Sequence, residues 1–253
     1  MKKIIMRLML IISMFLSSCK TTEPVVEKAP RETPNTIKTK PIDEKDTQNI
    51  PEPINNEFTP AFIVPEVEGD YYYDSLKLIK EKDIEKLDSI DFVKFRYAFL
   101  AVRDRDNLSI PDELEQKLRK NVQTGNIEEV LTLCEQVLEY DYTDIYAHVM
   151  RNYILEQNNE DVTFFREYVY RLVDSIFKSG DGKTPETAFH VTQVSEEYEL
   201  LKFMHLQNTR QRLVGIGQHS FDELTCLDEE GNKFVVYFDI TEHMAAIMKM
   251  LGQ

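Results

Sequence analysis

The sequence predicts an α+β fold, with antiparallel helix pairs first, then a small antiparallel β module closed by a C-terminal helix. Three observations predict it. Apolar residues recur at helical spacing through residues 74–178. Beyond Ser179 the pattern changes to short runs of β formers broken by turn residues. Ahead of both, eight of the ten prolines crowd into residues 20–65, which sets the folded part apart from what precedes it. The chain has 253 residues, 42% hydrophobic content and a net charge of −15. An acidic chain of this kind argues against nucleic acid, whose phosphates need clustered Lys and Arg. It argues equally against a basic grip on anionic lipid.

Residues 1–18 have the layout of a secretory signal. Lys2, Lys3 and Arg7 form a positive start, and Leu8 to Leu16 is an apolar run too short to span a bilayer. Ser17 and Ser18 then precede Cys19. The stretch L-S-S-C resembles the bacterial lipobox, in which the Cys becomes the acylated first residue of the mature protein. The resemblance implies lipidation at Cys19, palmitate among the acyl chains, and anchoring without spanning. The alternatives are a simple cleaved signal with an incidental Cys, or an uncleaved anchor. Lys20 follows where some lipoproteins carry an acidic inner-membrane retention signal, so the outer membrane is favoured in a host that has one.

Residues 19–65 are expected to be the lipidated Cys and a disordered tether. They contain no Gly, and Phe58 and Phe62 are their only aromatics. Such a segment buries too little apolar area to offset its ordering entropy. As an extended polyproline helix its 46 residues after Cys19 would reach roughly 140 Å at ~3.1 Å each, and as a flexible coil roughly 40 Å on average. The cluster Phe62, Ile63, Val64 is expected to dock on the edge of the folded part. The acidity belongs to that part: residues 66–253 carry −16 and the tether only −2.

Residues 66–178 form the helical region. Leu76 and Ile79, then Phe92, Phe95, Phe99 and Val102, fit one or two amphipathic helices. Pro111 suits the first turn of the next helix, and Gly125-Asn126 breaks it before Ile127 to Tyr140. The run from Gln123 to Tyr142 resembles the second half of a tetratricopeptide repeat. A shift of 34 residues sets Gly125 on Asn159, Val130 on Phe164, Cys134 on Tyr168 and Leu138 on Leu172. Two antiparallel helix pairs follow, 111–140 and 144–177; an irregular helical bundle is the alternative. Stacked repeats of this kind often present a peptide-binding surface.

Residues 179–253 form the β module, expected to pack on the helices. Thr187 to Val194 is read as a strand. Glu196 to Leu206 is ambiguous between helix and extended edge, and Leu213 to Gly217 is a further strand candidate. Phe221 to Leu227 and Lys233 to Ile240 form a hairpin about D-E-E-G-N-K, and Ala245 to Leu251 a terminal helix. The stretch S-G-D-G-K-T-P-E-T-A-F-H-V, Ser179 to Val191, resembles the signature of a bacterial family, domain of unknown function 4919. E-E-Y-E-L-L, Q-R-L-V-G and V-Y-F-D-I follow in the family's order. The resemblance implies a fold and export to the cell envelope, and carries no activity, cofactor or partner.

The chemistry-bearing residues are few. S-G-D-G-K-T is not a phosphate loop, since position 177 is Phe and a helix precedes it. It reads as a helix stop with Gly180 as a left-handed cap. The histidines, His148, His190, His205, His219 and His243, show no metal spacing. His148 falls on a packed helix, and His190 alternates with apolar neighbours on the solvent side. His219, Asp222 and Asp239 are the weak catalytic candidates, and Asp181 and Asp239 with His219 are the favoured set if a site exists; a structural salt bridge or a hydrogen bond to a loop amide is the alternative for the carboxylates. Adjacent residues point apart, so His219-Ser220 is no dyad. Cys134 and Cys226 are expected as buried free thiols. No cofactor is implied. The expected function is a membrane-tethered envelope lipoprotein that binds or scaffolds another protein. The alternative is a hydrolase of an envelope polymer, which requires His219, Asp222 and Asp239 to converge in a cleft.

Overall fold

The computed structural model describes residues 58–67, 70–103 and 105–250. The signal segment, Cys19 and the tether up to Glu57 lie outside the described residues. Helix formation starts with α1 (Tyr71–Lys80), the short α2 (Ile84–Leu87) and α3 (Phe92–Arg103). Asp83 caps α2 by accepting the Glu85 N–H at 3.0 Å. α3 is apolar nearly all round: Phe92, Phe95, Tyr97, Ala98, Phe99 and Val102 are buried, and so is Arg96. A helix of that composition must be covered on most sides.

Four helices follow with short connections: α4 (Asp112–Thr124), α5 (Ile127–Tyr140), α6 (Ile145–Gln157) and α7 (Thr163–Phe177). Connections this short turn the chain back on itself. Pro111 precedes α4 as its N-cap rather than occupying the first turn. Gly125 ends α4 at φ 73°, and Asn159, 34 residues on, is left-handed at φ 62°. The two turns therefore close alike. Val130, Leu133, Cys134, Val137 and Leu138 from α5 form a second core with Leu118, Ala147 and Ile154.

The β module is smaller and more mixed than the sequence suggests. Pro185–Thr187 is a 3-10 turn, and β1 spans only Phe189–His190. It stops early because Thr192 and Gln193 donate their N–H groups to Glu196 and so begin a helix. That helix, α8 (Val194–Phe203), resolves the ambiguous segment, with Gln193 and Glu196 forming a capping box. β2 (Gln207–Ile216) is longer than expected, and β3 (His219–Leu227) and β4 (Lys233–Asp239) make the hairpin. The sheet order is β1-β4-β3-β2, with β1 parallel to β4 and the remaining pairs antiparallel. The sheet is thus mixed rather than wholly antiparallel. α9 (Thr241–Met250) closes the described chain.

One continuous core joins helices to sheet. Phe95, Phe99, Tyr168, Leu172 and Ile176 share it with Phe189, Leu200, Leu224, Val236 and Phe238. At its centre Arg96, 1% exposed, donates through Nε (2.9 Å) and Nη2 (2.6 Å) to Glu196, and through Nη2 to the His190 carbonyl (3.3 Å). The pair ties α3 to β1 and to the start of α8. Cys134 and Cys226 are free and buried.

Candidate functional site

Strand pairing brings two of the three candidate residues together. Asp239 ends β4, with His190 of β1 directly opposite on one side and Phe221 of β3 on the other. His219 lies two residues before Phe221, on the same sheet face. Its Nδ1 is 3.0 Å from Asp239 Oδ2, and His190 Nε2 is 3.8 Å from the same oxygen. Asp239 Oδ1 accepts the Thr241 N–H at 2.9 Å. Asp239 and His190 are buried, and the His219 side chain is 28% exposed. The sequence places His190 toward solvent, but Phe62 covers it at a ring distance of 4.5 Å. Burial by its neighbours pulls the His190 pKa below the ordinary histidine value, against the pull of Asp239.

The first described segment roofs this cluster. Phe58 lies 5.2 Å from the His219 ring and 5.4 Å from Phe221, and Phe62 also stacks on Tyr97 at 6.2 Å. The Ala61 N–H donates to the Glu186 carbonyl at 2.8 Å. Ile63, in contrast, is 85% exposed.

Asp222 does not join the cluster. It stands three residues from His219, an odd step along a strand, and so faces the helices. There it accepts from Gln211 Nε2 at 2.7 Å. Beside it is Glu197, fully buried, with no amide, hydroxyl or cationic donor among the described residues on either carboxyl oxygen and the Asp222 carboxyl as its hydrogen-bonding neighbour. Burial, with the Asp222 charge adding to it, pushes the Glu197 pKa up to about 9. Burial raises Asp222 as well. Asp181 is elsewhere, in an exposed turn, where Lys183 and Thr187 hold its pKa down at about 2.

A further concavity was not legible in the sequence. A cleft of about 200 Å³ is walled by Phe99, Leu108, Ile110 and Ile247, with Asp141, Gln193 and His243 among its polar residues. Asp141 accepts from Thr143 N–H at 2.7 Å and Thr143 Oγ1 at 2.6 Å, and also from the Gln193 amide. Burial raises its pKa to about 6 despite those donors. D-Y-T-D could have signalled a turn at 141–144, but nothing local connects Asp141 to Gln193.

The chemistry open to these groups is narrow. With its Nδ1 proton on Asp239, His219 would present Nε2 as a base. Yet Thr241 Oγ1, 3.4 Å away, lies on the same nitrogen, Nδ1, as Asp239. Among the described residues no hydroxyl or thiol is bonded to Nε2, so the nucleophile–base–orienter chain of a hydrolase is not assembled. No group of three His, Cys, Asp or Glu side chains among the described residues is arranged to hold a metal ion. Among them, too, no helix is long and apolar enough to cross a membrane.

Comparison with curated proteins and with solved structures returned no match. The family model described as domain of unknown function (DUF4919) matches residues 63–249, most of the helices and the whole sheet. That span contains the Gly180–Gly182 turn, the mixed sheet and the Arg96–Glu196 centre, and the chain belongs to the DUF4919 family.

Proposed function

We propose that this chain is a lipid-anchored envelope protein, held at a membrane through acylated Cys19, whose folded unit binds or scaffolds another protein. In a host with an outer membrane we assign it there. The observation that carries the binding half is the open edge of β2. The strand is ten residues long and lies at the end of the sheet order. Among the described residues no further strand pairs with its outer side. An edge of this length offers a row of backbone donors and acceptors to an added strand. Leu213, 59% exposed, adds apolar area. The hydrolase reading has less support, since Asp222 faces away from His219 and Asp239, and Phe58 and Phe62 cover the pair.

Two measurements test the two halves. A fatty-acid probe should label the parent in cells and leave Cys19→Ser unlabelled and unanchored; a variant that stays labelled sinks the anchor. A photo-crosslinking residue at Gly215, exposed on β2 with open space about its Cα, should give an adduct in intact cells, while one at Glu160, exposed near the α6–α7 turn, should not. Equal adducts at both positions, or none at Gly215, would remove the edge as the contact surface.

A further inference from the structure

The open edge has a charge pattern of its own. From Leu200 to Phe221 the chain contains no Asp or Glu, although it has 45 acidic residues in all. Within that stretch β2 carries Arg210 and Arg212. Their register partners on β3 are Thr225 and Glu223, so both arginines lie on the same face of the sheet, away from Asp222 and the helices. Arg212 donates through Nε to Glu223 at 3.1 Å, and the Tyr237 hydroxyl supports that carboxylate at 3.0 Å. Arg212 nevertheless keeps 57% of its side chain in solvent. Arg210 is exposed and makes no ion pair among the described residues. A register shift between Asn208 and Arg210 disturbs the start of the strand, and Asn208 Oδ1 accepts the Arg210 N–H at 3.1 Å. The regular part of the edge therefore begins at the arginines.

A second copy of this chain fits that edge poorly. Same-face antiparallel pairing of β2 with itself has two longest registers, centred on Gln211 and on Arg212. The first sets Arg210 against Arg212, and the second sets Arg212 against Arg212. Like charges directly opposite on paired strands are destabilising. Carboxylates at the same positions have the reverse effect. The folded part is acidic overall, but charges farther than about 8 Å are largely screened at physiological ionic strength. The nearest cross-strand neighbours therefore decide.

We propose that β2 takes up an extended acidic segment of another protein as a fifth strand, with two carboxylates at alternate positions opposite Arg210 and Arg212. This deepens the binding reading and rests on the edge being its contact surface.

The test uses labelled nine-residue peptides of alternating Thr and Val, with Glu, Gln or Lys at positions four and six. Binding to the chain is followed by fluorescence anisotropy in low and in high salt. The Glu peptide should bind about five-fold more tightly than the Gln peptide at low salt, from two cross-strand pairs of ~0.5 kcal/mol each. The Lys peptide should bind weakest, and high salt should level the three. Arg210→Glu with Arg212→Glu should reverse the order of Glu and Lys, which a misfolded variant could not do. N-methylation of alternate peptide amides should abolish binding in one phase and spare it in the other. Equal binding of the Glu and Gln peptides overturns the acidic preference and leaves edge binding standing. Binding by none of the peptides overturns both, and leaves only the anchor.

Discussion

Replacing Glu197 with Gln should change how stability responds to pH more than it changes stability itself. The Glu197 carboxyl is fully buried beside Asp222, with a pKa of about 9 in the folded chain against an ordinary 4.5. Between those values the unfolded chain has lost the proton and the folded chain has kept it. A group with a raised folded pKa stabilises fully below its unfolded pKa, and that contribution is lost as pH rises through the folded pKa. The loss runs at about 1.4 kcal/mol per pH unit, or about 4 kcal/mol from pH 5 to pH 8. Gln has nearly the same shape and no proton to lose. Burial also raises Asp141, to about 6, and Asp144, to about 7, so the parent's own pH profile mixes several carboxyls. The difference between parent and Glu197→Gln cancels them to first order. Urea unfolding of both proteins at four pH values from 5 to 8 gives that difference. The variant should gain on the parent steadily as pH rises. Parallel curves would mean that Glu197 is ionised in the folded chain, and its raised pKa would be wrong.

Four other outcomes follow from single contacts. Arg96→Met strands the buried Glu196 carboxylate and should cost about 3–5 kcal/mol in urea unfolding; a loss under about 1 kcal/mol would show that the pair contributes nothing net. Gly182→Ala places a methyl 2.5 Å from the Phe189 ring at a φ of +68°, and thermal melting should show a loss of about 1–3 kcal/mol, with an unchanged midpoint counting against the close approach. Burial lowers the His148 pKa to about 3; because the folded value lies below the unfolded one, stability is whole above about pH 6.5 and is lost on acidification, and His148→Gln should remove that loss between pH 6 and 4. Phe62→Ala uncovers His190 and should raise its pKa toward the ordinary value in an NMR titration, while an unmoved pKa would show that Phe62 is not what buries it.

The helical half was legible because its signals are local. Gly125-Asn126 marks a turn by itself, and the boundaries of α5, Ile127 and Tyr140, stand where the apolar spacing places them. The half with the sheet was less legible because partners far apart in sequence set its bounds. Thr187 to Val194 reads as a strand from its side chains, yet Glu196, fixed by Arg96 a hundred residues earlier, turns Thr192 and Gln193 into a helix start. His219 with Asp239 was within reach, since the hairpin sets them on adjacent strands. The parity of β3 already excluded Asp222 from the same face. His190 in the cluster was out of reach, because it depends on β1 running parallel to β4 across a non-local pairing.

The stretch that most resembles a functional motif is explained by closure of the fold. Gly180 is not the left-handed cap that the sequence suggests; its φ is not positive, and α7 ends through Lys178 in a right-handed conformation. Gly180 is needed because a Cβ there would stand 2.3 Å from the Thr187 carbonyl oxygen and 2.5 Å from that of Ala188. Asp181 and Gly182 donate their N–H groups to that same Thr187 oxygen, at 3.0 and 2.8 Å, and the Gly182 carbonyl accepts from Tyr237 at 2.8 Å. Ser179 Oγ accepts the His190 N–H at 2.8 Å. These contacts join α7, β1 and β4, and they account for Ser179 and both glycines of the motif without a ligand. The open capacity lies instead in β2, an edge strand bonded to the sheet on one side only, which carries an exposed arginine without an ion-pair partner among the described residues.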